Sequence, residues 1–398
     1  MKFSFTRTQG LEEAKAFLTQ ALSSGKFPHG LLVHGPEGVG QNALLLDLVD
    51  ILLCDAADIR PCGACAGCLG RQRNNLDSLI FLMPIEKKDK SQDKAGGDGE
   101  MEDAQVDELT DKAKEFHQDP YGFTRTEKSN LNVGQIRSMQ ARLSFAEVSR
   151  KPRIVVILWA ETMGAPAANT LLKTLEEPPP NTYFLLSSDD RSVLLPTIIS
   201  RCTQLPLFSM GPDALRAALA AKGKVWDIET PPERLIPFAE GSLGVLLHLH
   251  RNAGETLLEE SGRYLAAALG GDWLAYSDYL EESDAFGDMQ SASRLLHFLL
   301  RVVRMFHRLE ALEGPVSRGA ASASGFSWTR EALKRQGLDP ALSEIIGPLE
   351  GSRDLTAFTA LIEETLSAVQ SYAKPKVAAL GLYLDFASKH PRKESLAC

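Results

Sequence analysis

The chain has 398 residues, 44% of them hydrophobic and 24% charged, enough to bury two or three separate cores, which excludes a single small module. No apolar run reaches the length of about 18 residues that a membrane span needs, and Met1-Lys2-Phe3-Ser4-Phe5-Thr6-Arg7 holds no apolar signal core, so a cytoplasmic location is expected. The net charge of -9 is uneven: residues 86–119 hold 12 acids and 6 lysines, a net of -6, so the remainder carries only -3 and a local basic face toward nucleic acid stays open.

In chain order, a helix from about Leu11 precedes Gly30-Leu31-Leu32-Val33-His34, which reads as a short buried strand. Gly35-Pro36-Glu37-Gly38-Val39-Gly40-Gln41-Asn42 follows with the glycine spacing of a phosphate-binding loop, and Ala43 to Val49 reads as an amphipathic helix after it. In a working loop, backbone N–H groups wrap the phosphates, a lysine neutralises them and a Ser or Thr hydroxyl holds Mg²⁺. Here Gln41 brings no charge and Asn42 is a poor magnesium ligand. On its own the pattern fits either a degenerate phosphate loop or an ordinary glycine-rich turn.

Cys54, Cys62, Cys65 and Cys68 give the spacing C-x7-C-x2-C-x2-C, with Gly63 and Gly67 permitting tight turns. Four thiolates so placed suit a closed, structural Zn²⁺ site rather than catalysis. An iron–sulfur cluster usually has other spacings, and core cysteines seldom crowd a polar glycine-rich loop. Leu79 to Leu82 is a second strand, and Glu86 to about Asn130 reads as an acidic, flexible surface insertion. Val133 to Leu143 is predicted helical, and Arg153 to Trp159 a strand at the buried centre of a parallel sheet. A helix over Ala165 to Glu177 stops at Pro178-Pro179-Pro180, and Tyr183 to Ser188 is the next strand. Beyond Phe208 helical patterns take over, over Pro212 to Lys222, Pro232 to Leu249 and then from about Glu255 onward, interrupted at Gly314 to Gly325.

A phosphate-loop ATPase also needs a carboxylate at the end of a neighbouring strand to hold magnesium, usually followed by a glutamate. That strand ends here in Leu158-Trp159-Ala160-Glu161.

Ala167-Ala168-Asn169-Thr170-Leu171-Leu172-Lys173-Thr174-Leu175-Glu176-Glu177-Pro178-Pro179, followed by Leu195-Pro196-Thr197-Ile198-Ile199-Ser200-Arg201-Cys202, resembles the bacterial replicative clamp-loader subunits of the AAA+ family. Pro28-His29-Gly30-Leu31-Leu32 and the cysteine module agree with it. The resemblance is strong over about residues 9–208 and weaker beyond, through Glu240-Gly241-Ser242-Leu243-Gly244 and Tyr372-Ala373-Lys374-Pro375-Lys376. It implies an α/β AAA+ domain over 1–208 (parallel sheet with helices, zinc module at 54–68, acidic insertion at 86–130), a helical lid over 209–254 and an all-α collar domain over 255–398.

In that family the gamma and tau subunits hydrolyse ATP and delta-prime subunits do not. Three departures place this sequence with the latter: Gln41-Asn42 in a loop whose glycines include Gly35 and Gly40, Leu158-Trp159 in the magnesium strand, and Gly244 where motor subunits carry a sensing arginine. The resemblance then implies that Arg201 is an arginine finger, reaching in trans to the γ-phosphate of a neighbour's ATP. Cys202 reads as a core thiol, and Ser188 matches the first sensor position but has no assigned role. Lys173 and Arg137 are candidate phosphate contacts to DNA, or solvated charges. The implied partners are gamma/tau and delta subunits in a heteropentamer, the sliding clamp and primer–template DNA, with no catalysis by this chain alone. An active clamp-loader ATPase and a zinc-stabilised nucleic-acid-binding adaptor are the competing readings.

Overall fold

The computed structural model describes residues 1–72, 78–86, 103–125, 129–145, 151–228, 231–270, 272–313, 327–350, 355–371 and 373–389. Residues 87–102 of the acidic insertion, the stretch from Gly314 to Gly325, and Tyr372 lie outside them. The chain forms two compact units, the first comprising residues 1–229 and 241–247, the second residues 230–240 and 248–398.

The first unit is built on a five-stranded parallel sheet. Its elements are β1 (Lys2–Phe3), α1 (Glu12–Ser23), β2 (Gly30–His34), α2 (Gln41–Leu53), β3 (Ile59–Arg60), α3 (Ala66–Gln72), β4 (Leu79–Leu82) and β5 (Ile85–Glu86). Next come α4 (Asp103–Gln118), β6 (Ser129–Asn130), α5 (Val133–Phe145), β7 (Arg153–Ile157), α6 (Ala165–Glu176), β8 (Thr182–Ser188), α7 (Pro196–Ile199), β9 (Thr203–Pro206) and α8 (Pro212–Lys222). The sheet order is β4-β7-β8-β2-β9, with Gly30 opposite Phe184 and Ile157 opposite Leu186 fixing the register of the central strands.

Successive residues of β2 point to opposite faces, as a pleated strand requires. Leu31 and Val33 pack with Leu44, Leu48 and Phe116 on one face, while Leu32 packs with Ile136, Leu171 and Ile198 on the other. Helices therefore cover both faces, and the strands read as nearly unbroken apolar runs.

Two sequence expectations need correction. The helix after the glycine loop is not amphipathic, because ten of its residues from Gln41 to Leu53 are buried. Even Asp47 is fully buried, since the N-terminal segment crosses it: Thr8 N donates to Asp47 Oδ2 at 2.9 Å, and Thr8 Oγ1 at 2.7 Å. The second correction concerns the acidic insertion, whose latter part is no surface linker. Phe116 of α4 is fully buried, and Tyr121 and Phe123 beyond it reach the sheet's loop end, where Phe123 meets Trp159 with ring centroids 5.6 Å apart. Three aromatic anchors outweigh the charged composition around them.

The second unit is helical throughout its described residues. It contains α10 (Gly254–Gly270), α11 (Trp273–Glu282), α12 (Met289–Glu313), α13 (Ser327–Arg335), α14 (Ser343–Ile346), α15 (Leu355–Gln370) and α16 (Pro375–Lys389). Phe298 and Phe306 of α12 and Phe358 of α15 are buried among them, and Tyr276 OH donates to Ala379 O at 2.7 Å. The helical pattern over Pro232 to Leu249 resolves into a short 3-10 turn at Ile236–Ala239 and the helix α9 (Leu243–Arg251). Glu240 and Gly241 both take positive φ, at 53° and 77°, which a continuous helix does not allow.

Candidate nucleotide loop, arginine corner and metal centre

β2 delivers the glycine loop to the carboxyl end of the sheet, the usual place for a ligand crevice in a parallel α/β fold. Gly38 and Gly40 take φ of 70° and 122°, so the loop turns as a phosphate cradle does. Its interior is filled by the chain itself. Gln41 Nε2 donates to Gly35 O at 2.7 Å and to Pro36 O at 2.8 Å, with Asp189 Oδ1 at 3.3 Å. An amide has two N–H donors, and both are consumed on the loop's own carbonyls.

The neighbouring strand end is closed in the same manner. Trp159 adopts φ 51°, its N donates to Ser187 Oγ at 3.1 Å, and its Nε1 donates to Asp189 Oδ2 at 2.9 Å. Asp189 thus accepts from Trp159 and lies beside the Gln41 amide, the two residues that stand where a carboxylate and a lysine are expected. Its own N donates to Glu161 Oε1 at 3.2 Å. Burial, then the carboxylates of Glu161 and Glu37, push Asp189 up to about 7, and burial raises Glu161 as well. Two acids crowded in this way hold protons more readily than they would in water.

A third closure comes from the start of α9. Gly244 N donates to Gly38 O at 2.9 Å, and a Cβ on Gly244 would stand 2.8 Å from Tyr121 O and 2.9 Å from Gly38 Cα. The position predicted to lack a sensing arginine therefore has no room for any side chain. Tyr121 completes the wall, with its OH accepting from Gln9 N at 2.9 Å and its ring edge-on to Trp226. Sequence reading gave no role to Asp189 or Tyr121; the aspartate next to the sensor-position Ser188 was the available signal for the first.

Arg201 sits apart from this, between α7 and β9. Its Nη1 donates to Thr197 O at 2.9 Å, its Nη2 pairs with Glu176 at the end of α6, and its side chain remains 31% exposed. The adjacent Cys202 is buried, and burial pushes its thiol up to about 11, as a core cysteine requires. Lys173 of α6 and Arg137 of α5 are exposed on adjoining helices, tied by Gln140 Nε2 donating to Thr174 Oγ1 at 2.8 Å.

The four cysteines converge. All four Sγ atoms lie within 4.8 Å of one another, with Cys62 and Cys68 at 4.0 Å and Cys54 and Cys65 at 3.9 Å. A tetrahedral metal with M–S bonds of about 2.3 Å has S–S edges of about 3.8 Å, so the donor set fits a single ion. Backbone N–H groups point at the sulfurs: Cys62 N donates to Cys54 Sγ at 3.3 Å, and Asp55 N and Cys68 N both donate to Cys65 Sγ at 3.4 Å. Against the burial that raises it, those donors hold Cys65 down to about 6, while burial and the neighbouring sulfurs push Cys68 up to about 12. These four thiols can hold a metal ion.

A family model described as DNA polymerase III, delta subunit, matches residues 10–210. The chain belongs to that family. The delta-prime subunit of DNA polymerase III from Haemophilus influenzae is 29% identical over 185 residues, covering 46% of this chain and 44% of that one. The gamma/tau subunit from Mycobacterium bovis is 27% identical over 218 residues, covering 54% of this chain and 31% of that one. The chain thus spans less than half the length of either relative. A solved gamma-subunit-related protein from Thermotoga maritima covers 94% of this chain and 98% of its own at 12% identity, with a TM-score of 0.40. The chain is similar to both delta-prime and gamma/tau subunits of DNA polymerase III, and it has the expected α/β architecture followed by a helical C-terminal region. Delta-prime and gamma/tau relatives match at similar identity, so identity alone does not separate their roles. No helix among the described residues is long and apolar enough to cross a membrane.

Proposed function

We propose that this chain is the non-hydrolysing, delta-prime-type subunit of a clamp loader, which lends Arg201 to a neighbour's ATP instead of using its own loop. The observation that carries the reading is Gln41 Nε2 bonded to Gly35 O and Pro36 O, which puts a neutral, fully engaged amide where a free ammonium is needed. Trp159 at the carboxylate position and Gly244 packed on Gly38 support it independently. Arg201 has the opposite character: a half-buried, planar fork of donors matched to phosphate oxygens and held by a single surface acid. In this reading the lid is residues 209–254, and the collar over 255–398 joins gamma/tau and delta subunits in a cytoplasmic pentamer that places the sliding clamp on primer–template DNA. Lys173 and Arg137 would face that DNA. An ATPase assay on the purified chain tests the loop: background turnover is expected, and hydrolysis that follows the chain through rigorous purification overturns the reading in favour of an active ATPase.

The metal in this reading is one structural Zn²⁺ per chain held by Cys54, Cys62, Cys65 and Cys68, with no open position for chemistry. Metal analysis should find one equivalent of zinc, and Cys65→Ser should lose it and lower the stability of the first unit. Protein purified without chelator that holds no zinc contradicts the assignment.

A further inference from the structure

α12 is a 25-residue helix whose apolar side is fully used: Leu295, Leu296, Phe298, Leu299, Val302, Val303, Met305 and Phe306 are all buried. Its other side is unusual in sign. Between Ser293 and Leu309 each exposed residue is arginine or histidine, namely Arg294, His297, Arg304 and Arg308, with Arg301 and His307 half-buried on the same stripe. The spacing of three and four residues aligns the arginines over about 21 Å of helix.

Ordinary explanations do not cover this stripe. A solvated helix face mixes signs, and like charges three or four residues apart, such as Arg301, Arg304 and Arg308, oppose helix formation. Internal pairing does not relieve them: the ion pair between His307 and Glu310, at 3.6 Å, leaves those three arginines without an acidic partner among the described residues. The helix dipole does not call for them either, because α12 runs on to Glu313 and its last turn holds no basic residue. Arginine stems can cover apolar surface, but that accounts for length and not for a single sign.

We propose that the Arg294–Arg308 face of α12 is a second nucleic-acid contact, taking the phosphodiester backbone of DNA along the helix without reading sequence. A row of guanidinium groups offers bidentate donors to phosphates, and the release of counterions from DNA drives such binding. The stripe has no Phe, Tyr or Trp, and its only rings are the small imidazoles of His297 and His307, so it lacks the broad stacking platform that would favour unpaired bases. The contact therefore accepts single-stranded and duplex backbones alike. The inference rests on the clamp-loader reading only for the choice of DNA over RNA.

The test is fluorescence anisotropy of labelled single-stranded and duplex oligonucleotides, each about 20 nucleotides long, with the full purified chain in the absence of ATP and partners. The triple variant Arg301→Gln, Arg304→Gln, Arg308→Gln keeps good helix formers at two exposed positions and one half-buried position, and an unchanged melting temperature shows that it folds. It should bind both DNAs at least about 10-fold more weakly at low salt, with a salt dependence shallower by about two to three in the log–log slope. The pair Arg137→Gln, Lys173→Gln, on the first unit, should leave that α12 component of the slope in place. Wild-type affinity and slope in the triple variant would overturn the proposal. So would polyglutamate binding the wild type as tightly as DNA does at equal charge, since the face would then be a site for an acidic polypeptide. ATP turnover by the isolated chain would overturn the non-hydrolysing reading and leave this result untouched.

Discussion

The glycine loop and the Arg201 corner lie in the same compact unit, and they use their hydrogen-bonding groups in opposite ways. At the loop, Gln41, Trp159 and Gly244 each satisfy the chain's own atoms: two loop carbonyls, the Asp189 carboxylate and the carbonyl of Gly38. At the corner, a guanidinium with five donors makes one bond to a backbone carbonyl, a long one of 3.4 Å to the Ser200 hydroxyl and one ion pair with a half-exposed acid. A group whose partners are internal and buried has nothing left for a ligand, and freeing it costs the bonds it already makes. A group held at the surface by an exposed acid can change partners cheaply. In the proposed function the chemistry of this chain therefore lies at the Arg201 corner and not at its own loop.

The comparison is broken most severely by forcing a side chain into the closed loop. Gly244→Arg, which would restore the motor-type residue, drives a Cβ to within 3.0 Å of Gly38 backbone atoms and should destabilise the protein by about 2–3 kcal/mol or more in chemical denaturation. Retained stability would mean that the loop opens readily and is not closed in the sense argued here.

Smaller in effect, and more specific, is a pH test of the buried acid. Burial and the nearby Glu161 and Glu37 carboxylates raise Asp189 to about 7, well above the usual carboxylate value of about 4, so the folded state binds the extra proton and its contribution to stability falls as pH rises through that window. Asp189→Asn cannot titrate. The variant should therefore gain on the wild type between pH 4 and 7, by at most about 1.4 kcal/mol per pH unit and by nothing further above pH 7. A stability difference that is flat across the window would show that Asp189 is charged and open to solvent.

Much of this was legible in the residue pattern, and the failures share one cause. The strand–loop–helix around Gly35 to Asn42, the cysteine spacing and the apolar run at Ile154 to Ile157 are local signals, and each appears as expected. The plug of the loop is not local. Gln41 and Asp189 are 148 residues apart, and Gln9 meets Tyr121 across 112. No periodicity announces such pairs, and the charge around Tyr121 disguised a packed helix as a linker. The buried all-round character of α2 was missed for the same reason, since what covers its outer side is the distant N-terminal segment bonded to Asp47.

In the proposed function this chain contributes to ATP hydrolysis only through a neighbour, and the decisive measurement is clamp- and DNA-stimulated ATPase of the reconstituted complex carrying Arg201→Ala. Removing one half of an exposed ion pair costs the fold only about 0–1 kcal/mol, so assembly and zinc content should be retained. The complex should lose part of its stimulated ATPase and most of its clamp loading, and Arg201→Lys should rescue poorly because an ammonium lacks the planar fork. A variant complex that hydrolyses ATP and loads clamps at the wild-type rate would contradict the account and leave Arg201 a structural partner of Glu176.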